Sequence, residues 1–413
     1  MKEIFIALVA GSWTETTPQD FMDGWRDPLL YVSRRLQVEG SNPADSGAIE
    51  FYARFDANRD GYYDVVGADG SGPYVRLFWG SSTGYSDSDV RLIPATSGGG
   101  CDMADLNLDG WTELIHSGNN ENACKIFWGS ESAGGPDPTD FTSLPAEVSE
   151  AVFVYDLDED TYLDIIVSDA WTGLLRVYWG GPGGYDPADS SIRDDLHPHC
   201  HNTEVADLNK DGYPDIILPR RPTRGITILW GDGDRDLSNN QVWFHDNAGG
   251  MPHGLTLGDF NKDGWLDFAV SSCVGITETM VYFSDQGSFN PGYRTIVHPG
   301  VAYGGSAAWD FNEDGWLDLL VYRGEWSGNS PFPLVLYLNT RTPPYFMDQD
   351  TVSFGIEANY TGGFIYDFDG DGKTDIFANA LGSSSYVYWE SRQVAHMIAF
   401  RSFPSTGTTT EAS

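Results

Sequence analysis

The chain has 413 residues, a formal charge of −38 from 23 Lys and Arg against 61 Asp and Glu, 14% aromatic residues and 48 glycines. Such an acidic excess argues against a nucleic-acid duplex or an anionic membrane surface as partner, and no apolar run is long enough for a membrane span. The four cysteines, Cys101, Cys124, Cys200 and Cys273, show no CxxC spacing and are too sparse for a disulfide scaffold.

In chain order, residues 1–35 read as an N-terminal extension. Its start, MKEIFIALVAG, holds an apolar run from Ile4 to Ala10. That run fits either a short signal-peptide core or an ordinary strand, and the basic end is thin because Glu3 offsets Lys2. Residues 36–38, Leu-Gln-Val, then read as the last strand of a repeat that is otherwise absent.

From residue 56 a nine-residue pattern, Asp-x-Asn-x-Asp-Gly-x-x-Asp, recurs seven times, its first aspartates 49, 51, 51, 52, 51 and 57 residues apart. A period this even marks a repeat architecture. Positions 1, 3, 5 and 9 are Asp56, Asn58, Asp60 and Asp64 in the first copy and Asp105, Asn107, Asp109 and Glu113 in the second. The third copy has Asp156, Asp158, Asp160 and Asp164, and the fourth Asp207, Asn209, Asp211 and Asp215. The fifth has Asp259, Asn261, Asp263 and Asp267, the sixth Asp310, Asn312, Asp314 and Asp318, and the seventh Asp367, Asp369, Asp371 and Asp375.

The chemistry of one copy is that of a calcium loop. Calcium takes six to eight oxygen ligands, and side chains at alternate positions converge on one point only if the backbone curls. Glycine at position 6 permits that curl. A carbonyl at position 7 and the carboxylate at position 9 can complete the shell. The start matches an EF-hand loop, but no glutamate closes it at position 12. Asp, Asn and Gly also make plain turns, yet a turn has no use for a fixed carboxylate at position 9. Up to seven Ca²⁺ are therefore expected, offsetting fourteen of the 38 excess negative charges.

Short apolar runs follow each loop, as in Phe268-Ala269-Val270, and read as buried strands. In the fifth repeat strands are predicted at 254–257, 268–271, 279–283 and near 293–297. The third strand ends in Trp-Gly in four repeats, at Trp79-Gly80, Trp128-Gly129, Trp179-Gly180 and Trp230-Gly231. The later repeats have Phe283-Ser284, Leu338-Asn339 and Trp389-Glu390 instead. Four antiparallel strands per unit, seven times, predict an all-β, seven-bladed β-propeller over residues 36–400, with a calcium loop between strands one and two of each blade. A linear solenoid would need polar capping repeats. The strand at 36–38 suits closure by adding to blade seven, in competition with a strand at 396–400. Residues 401–413 read as a low-complexity tail.

Loops, period and copy number together resemble the FG-GAP/VCBS repeat family, which includes the seven-bladed propeller heads of integrin α subunits and many secreted bacterial proteins. The resemblance covers about residues 36–400 and implies calcium, an extracellular or cell-surface setting, and adhesion or carbohydrate-binding roles. It also extends to polysaccharide lyases. Two copies depart from the pattern: Thr161 replaces the glycine of copy three, which would strain or weaken that site, and Glu113 closes copy two with a longer side chain.

The face opposite the loops is expected to gather the remaining chemistry-bearing residues. His197, His199, Cys200 and His201 precede the first strand of blade four, and His253 precedes that of blade five at the position equivalent to His201. Arg220, Arg221 and Arg224 follow the second strand of blade four, Trp171 and Trp326 lie in the corresponding connections of blades three and six, and His116 ends a strand of blade two. One reading is a ligand site in which histidines hydrogen-bond, arginines pair with carboxylates and tryptophans stack on sugars. The other is that exposed connections are polar in any protein. Cys200 with the histidines matches no zinc spacing. Three functions stand: a calcium-stabilised binding, adhesion or structural module for acidic glycans or a protein; a polysaccharide lyase using His201, His253 and Arg221; or a filament or surface-layer subunit self-assembling through terminal strands.

Overall fold

The computed structural model describes residues 49–388, omitting short stretches of which those of five or more residues are 197–202, 246–250, 325–330, 367–374 and 381–385. The signal-like segment, the strands expected at 36–38 and 396–400, and the 401–413 tail lie outside the described residues. Among the described residues every regular element is an antiparallel strand, and no helix is long and apolar enough to cross a membrane.

The strands form seven sheets in chain order, spanning residues 49–94, 99–145, 151–193, 204–245, 251–298, 306–358 and 360–388. Each is a meander in which a strand pairs with its neighbours in sequence; six have four strands, and the seventh has three among the described residues. In the fifth sheet the strands are Met251–Gly258, Asp267–Val274, Thr279–Asp285 and Ser288–His298. They contain the four segments expected from sequence and extend each, ladder pairing continuing beyond them as in Met251↔Val274 and Ser284↔Phe289. The register shifts on either side of Pro252, so a bulge falls at His253.

Position 9 of every repeat is the first residue of the second strand and pairs with the last residue of the first, as in Phe55↔Asp64, Ala104↔Glu113 and Tyr366↔Asp375. The nine-residue loop is thus the turn between strands one and two.

The second strands are deeply buried. Glu113–Gly118, Asp164–Ser168 and Asp215–Arg220 are buried at every residue. Side chains alternate between the faces of a strand, and here both faces are covered. Ile216 and Leu218 pack with Phe153 and Val177 of the third sheet, while Ile217 packs with Leu255 and Phe268 of the fifth. This explains why these strands read as unbroken apolar runs rather than alternating ones. Among the described residues the core is divided accordingly into six clusters, each in the seam between two consecutive sheets. Each fully buried Leu, Ile or Phe contributes about 1.5–3 kcal/mol.

First strands of consecutive sheets lie side by side. Ile49–Phe55 neighbours Gly99–Ala104, which neighbours Ala151–Tyr155. Glu204–Ala206 neighbours Met251–Gly258, and Ser306–Trp309 and Tyr360–Tyr366 follow in the same way. Ile49–Phe55 also contacts Asp375–Ala380 of the seventh sheet.

Candidate metal centres

Six of the seven loops are described; residues 367–374 of the seventh are not, which leaves Asp367, Asp369 and Asp371 outside the described residues. Among their described residues the six share one conformation; Glu313, position 4 of the sixth, lies outside the described residues. Position 4 adopts a left-handed φ of 57–63° at Arg59, Leu108, Glu159, Lys210 and Lys262, and position 6 one of 83–98°. Glycine takes the position-6 angle without a Cβ penalty. In the third loop Thr161 takes it at 84°, a strained conformation for a β-branched residue.

Side-chain oxygens hold the curl together. The position-1 carboxylate accepts the amide of position 6, as from Gly61 to Asp56 at 2.8 Å and from Gly264 to Asp259 at 2.9 Å. Position 3 accepts the amide of position 5, and position 5 that of position 7, as in Asp263 N–H to Asn261 and Trp265 N–H to Asp263, both 2.9 Å. Where position 3 is Asn, its Nδ2 donates to the position-5 carboxylate in copies one, two, four and five.

The position-9 acid has a second task. One oxygen accepts the amide of position 2, from Ala57 to Asp64 at 2.7 Å and from Leu157 to Asp164 at 2.8 Å. The other accepts an amide at the end of strand three, from Gly80 to Asp64 at 2.9 Å and from Gly180 to Asp164 at 2.8 Å. Two backbone hydrogen bonds leave about half of a carboxylate's acceptor capacity free for a metal. The Trp-Gly pairs are thereby explained. A Cβ on Gly80, Gly129, Gly180 or Gly231 would run into the position-8 carbonyl. In those four copies donor and acceptor are 16 residues apart. In sheets five and six the separation is 17 and 21, and Ser284 and Asn339 donate instead. Tyr85 and Tyr185 close the same corner, their hydroxyls donating to the carbonyls of Tyr63 and Leu163. The side chain of Asn339 does so to Leu317.

Burial, reinforced by the charges of the neighbouring loop acids, pushes the position-9 carboxyls up. Asp64, Glu113, Asp164, Asp215 and Asp267 rise to about 8 and Asp318 to about 6, against the lowering pull of their amide donors. Burial also raises position 1, to about 6 at Asp156 and Asp259 and upward at Asp56, Asp105 and Asp207. A second positive charge at each loop would remove this penalty.

Two observations fit a cation. One oxygen each of Asp156, Asp158 and Asp164 lie within 4.8 Å of one another, the spread expected of ligands about 2.3–2.6 Å from a shared Ca²⁺. The Oδ1 atoms of Asp105 and Asp156 are buried and accept no hydrogen bond from the described residues.

Neighbouring loops touch. The position-4 cation of one lies over the position-7 aromatic ring of the next: Arg59 is 4.3 Å from the Trp111 centroid, Lys210 4.9 Å from Trp265 and Lys262 5.1 Å from Trp316. Leu108 and Glu159 cannot make this contact. Loop three instead receives Arg235 from the fourth sheet, 2.7 Å from Asp158 and 3.3 Å from Asp160. Sequence reasoning missed Arg235; its only signal is a lone cation within the run Gly-Asp-Gly-Asp-Arg-Asp.

The comparisons bear on the loops directly. The FG-GAP-like repeat pattern matches residues 56–116, 156–218, 207–270 and 310–378, more than half of the chain. The chain belongs to the FG-GAP-like repeat family. No curated protein matches its sequence. Among solved structures, this FG-GAP-like chain is similar to dihydro-heme d1 dehydrogenase NirN in complex with DHE, at 10% identity and a TM-score of 0.47, over 75% of this chain and 59% of that one. It is similar to an Agrocybe aegerita lectin that recognises non-reducing terminal N-acetylglucosamine, at 16% identity and 0.47, over 80% and 86%. A nidogen/laminin complex matches at 14% identity and 0.39, over 71% and 97%. The chain thus spans well under two thirds of the NirN chain.

Of the residues expected on the opposite face, His197, His199, Cys200, His201, Arg221, Arg224, Trp171 and Trp326 lie outside the described residues. Arg220, expected to stand free for a ligand, is 3% exposed, and its Nη2 donates to the carbonyl of Asp195 at 3.0 Å. His116 is buried too, its Nδ1 3.3 Å from the Sγ of Cys101 directly across the sheet. Neither Cys101 nor Cys124 is joined in a disulfide, and both are buried.

Proposed function

We propose that the FG-GAP-like chain is a calcium-stabilised, seven-bladed β-propeller that acts outside the cell as a binding or adhesion module for a glycan or protein. The observation that carries the reading is the loop itself: one acidic, tightly curled turn at the same place in each of the six sheets whose loop is described. Positions 1, 3, 5 and 9 would hold the ion. Calcium supplies charge neutralisation and a bridge between the loop's acids and the start of strand two. The chain's own residues do the rest: position 9 ties the loop to strands one and three, and position 1 fixes the glycine. Such solvent-facing oxygen sites suit the high calcium concentrations met by extracellular modules.

Closure of the seven sheets into a ring is supported by two details. Ile49–Phe55 touches Asp375–Ala380. Burial and the charges of Asp64 and Asp375 raise the Tyr85 phenol, as burial, Asp164 and Glu113 raise Tyr185. Tyr185 lies between its own loop acid and that of the preceding sheet, and Tyr85 stands in the same relation to sheets one and seven.

The test is metal content and melting together. The purified protein should carry several equivalents of calcium by elemental analysis and lose thermal stability in chelator. A chain that binds no calcium and melts unchanged in EDTA would refute the metal reading. A glycan-array screen with calcium present then probes the binding role; the absence of any ligand there, alongside regular polymers in electron micrographs, would favour the structural-subunit reading.

A further inference from the structure

Loop three differs from the other described loops in three linked ways. Its third position is Asp158 rather than Asn, so it lacks the amide that bridges positions 3 and 5 in copies one, two, four and five. Two carboxylates would face one another there. Its sixth position is the strained Thr161. And it alone among the described loops receives a cation from a neighbouring sheet that reaches two of its acids.

That cation is well held. Arg235 lies between the strands Gly225–Leu229 and Gln241–His245 of the fourth sheet. Its Nε donates to Asp158 Oδ2 at 2.7 Å, its Nη2 to Asp160 Oδ2 at 3.3 Å and its Nη1 to Asp189 Oδ2 at 2.8 Å. The guanidinium also lies 5.2 Å from the centroid of Trp179. The hydroxyl of Ser191 donates to the carbonyl of Arg235, and Arg193 to that of Leu237, so sheet three fixes the arginine's backbone as well. Asp158 is only 8% exposed, and the pair is correspondingly less screened than a surface ion pair. The planar guanidinium thus does for Asp158 and Asp160 what an asparagine Nδ2 does in copies one, two, four and five, and adds a positive charge. Loop six has a weaker counterpart, in which Arg341 is 56% exposed and meets the single acid Asp314 at 2.6 Å.

We propose that Arg235 is the resident counter-ion of loop three, so that calcium binds there only by displacing the guanidinium and this loop is the weakest, most readily exchanged site of the chain. The proposal rests on the calcium reading of the loops. A dication sharing the oxygens of Asp158 and Asp160 would sit within a few ångströms of the guanidinium, and the two cations repel. Calcium therefore binds only to the fraction of molecules in which Arg235 has withdrawn, and its apparent affinity falls by that fraction.

The experiment compares wild type with Arg235→Gln, whose side chain still covers Trp179, by calorimetric calcium titration and by counting bound ions in native mass spectra. Wild type should show one site about tenfold weaker than the rest, the fold-change of about 1.4 kcal/mol, and Arg235→Gln should bring it level. Asp189→Asn, which loosens the arginine from outside the loop, should shift the site in the same direction by roughly twofold to threefold; it carries the test if Arg235→Gln fails to fold. Identical titrations of wild type and variants, or loss of a site in Arg235→Gln, would overturn the proposal while leaving the calcium reading intact. Absence of calcium from both proteins would sink the two together.

Discussion

Replacing Gly180 with alanine tests the corner that joins loop to sheet. The added Cβ would be driven into the carbonyl of Leu163, and backbone cannot yield as a flexible side chain can. Strand three must retreat, and the 2.8 Å hydrogen bond from the Gly180 amide to Asp164 is lost. Overpacking costs about 1–3 kcal/mol, and leaving one oxygen of a buried carboxyl group without its donor about 1–3 kcal/mol. Together these predict roughly 3–5 kcal/mol of destabilisation. Gly183, three residues on, supplies the control: a Cβ there meets nothing within 4 Å, so Gly183→Ala should stay within about 0.5 kcal/mol of wild type. Urea unfolding followed by tryptophan fluorescence reads both, the shift in midpoint at constant slope giving the difference. Equal midpoints for the two variants would refute the argument that Trp-Gly exists to bring a bare amide up to the position-9 carboxylate.

Other expectations concern the loops. Chelation should lower the melting temperature measured by calorimetry, each lost site forfeiting about 2.7 kcal/mol where calcium had stood at a hundredfold its dissociation constant. In chelator, stability should fall as pH rises. The position-9 carboxyls are raised from 3.8 to about 8 in the folded chain, as at Asp164 and Asp215, so the folded state holds protons that the unfolded state releases. Their contribution is complete below about pH 4 and lost by about pH 8; melting at pH 5 and pH 8 in EDTA should show it, and saturating calcium should flatten it. A melting temperature that instead rises with pH in EDTA would count against the assigned burial of these acids. Thr161→Gly should stabilise the protein by about 1 kcal/mol, by relieving the left-handed threonine, as a urea midpoint would show; no gain would mean that loop three relaxes around threonine without cost.

Much of the fold was legible because the loop and the second strand are coded locally. Asp259, Asn261, Asp263 and Gly264 announce the turn, and Phe268-Ala269-Val270 the strand that follows. Loop-to-sheet anchoring was less visible, since Asp164 meets Gly180 across 16 residues, and an amide donor leaves a signature only where geometry forbids a side chain. Ser284 and Asn339 do the same work without that signature. Arg235 was illegible for a different reason: its partner Asp158 lies 77 residues away, and nothing in a local window says that a guanidinium will turn backward rather than outward. Arg220 misled in the opposite sense. A run of arginines suggests an open basic patch, yet its position as the last residue of a buried strand placed its side chain inside.

The division of the core into seams between consecutive sheets has a consequence for how such a chain can change over time. Every seam joins one sheet to the next, and the alternating side chains of a single strand serve two seams at once. Inserting or deleting half a unit would leave one face of a strand bare, whereas a whole unit brings both of its faces with it. The repeat of 49–57 residues is therefore the smallest step by which the chain can lengthen or shorten without exposing apolar surface. Within a copy the least constrained element is the fourth strand, such as Ser190–Arg193, where three of the four residues are not buried.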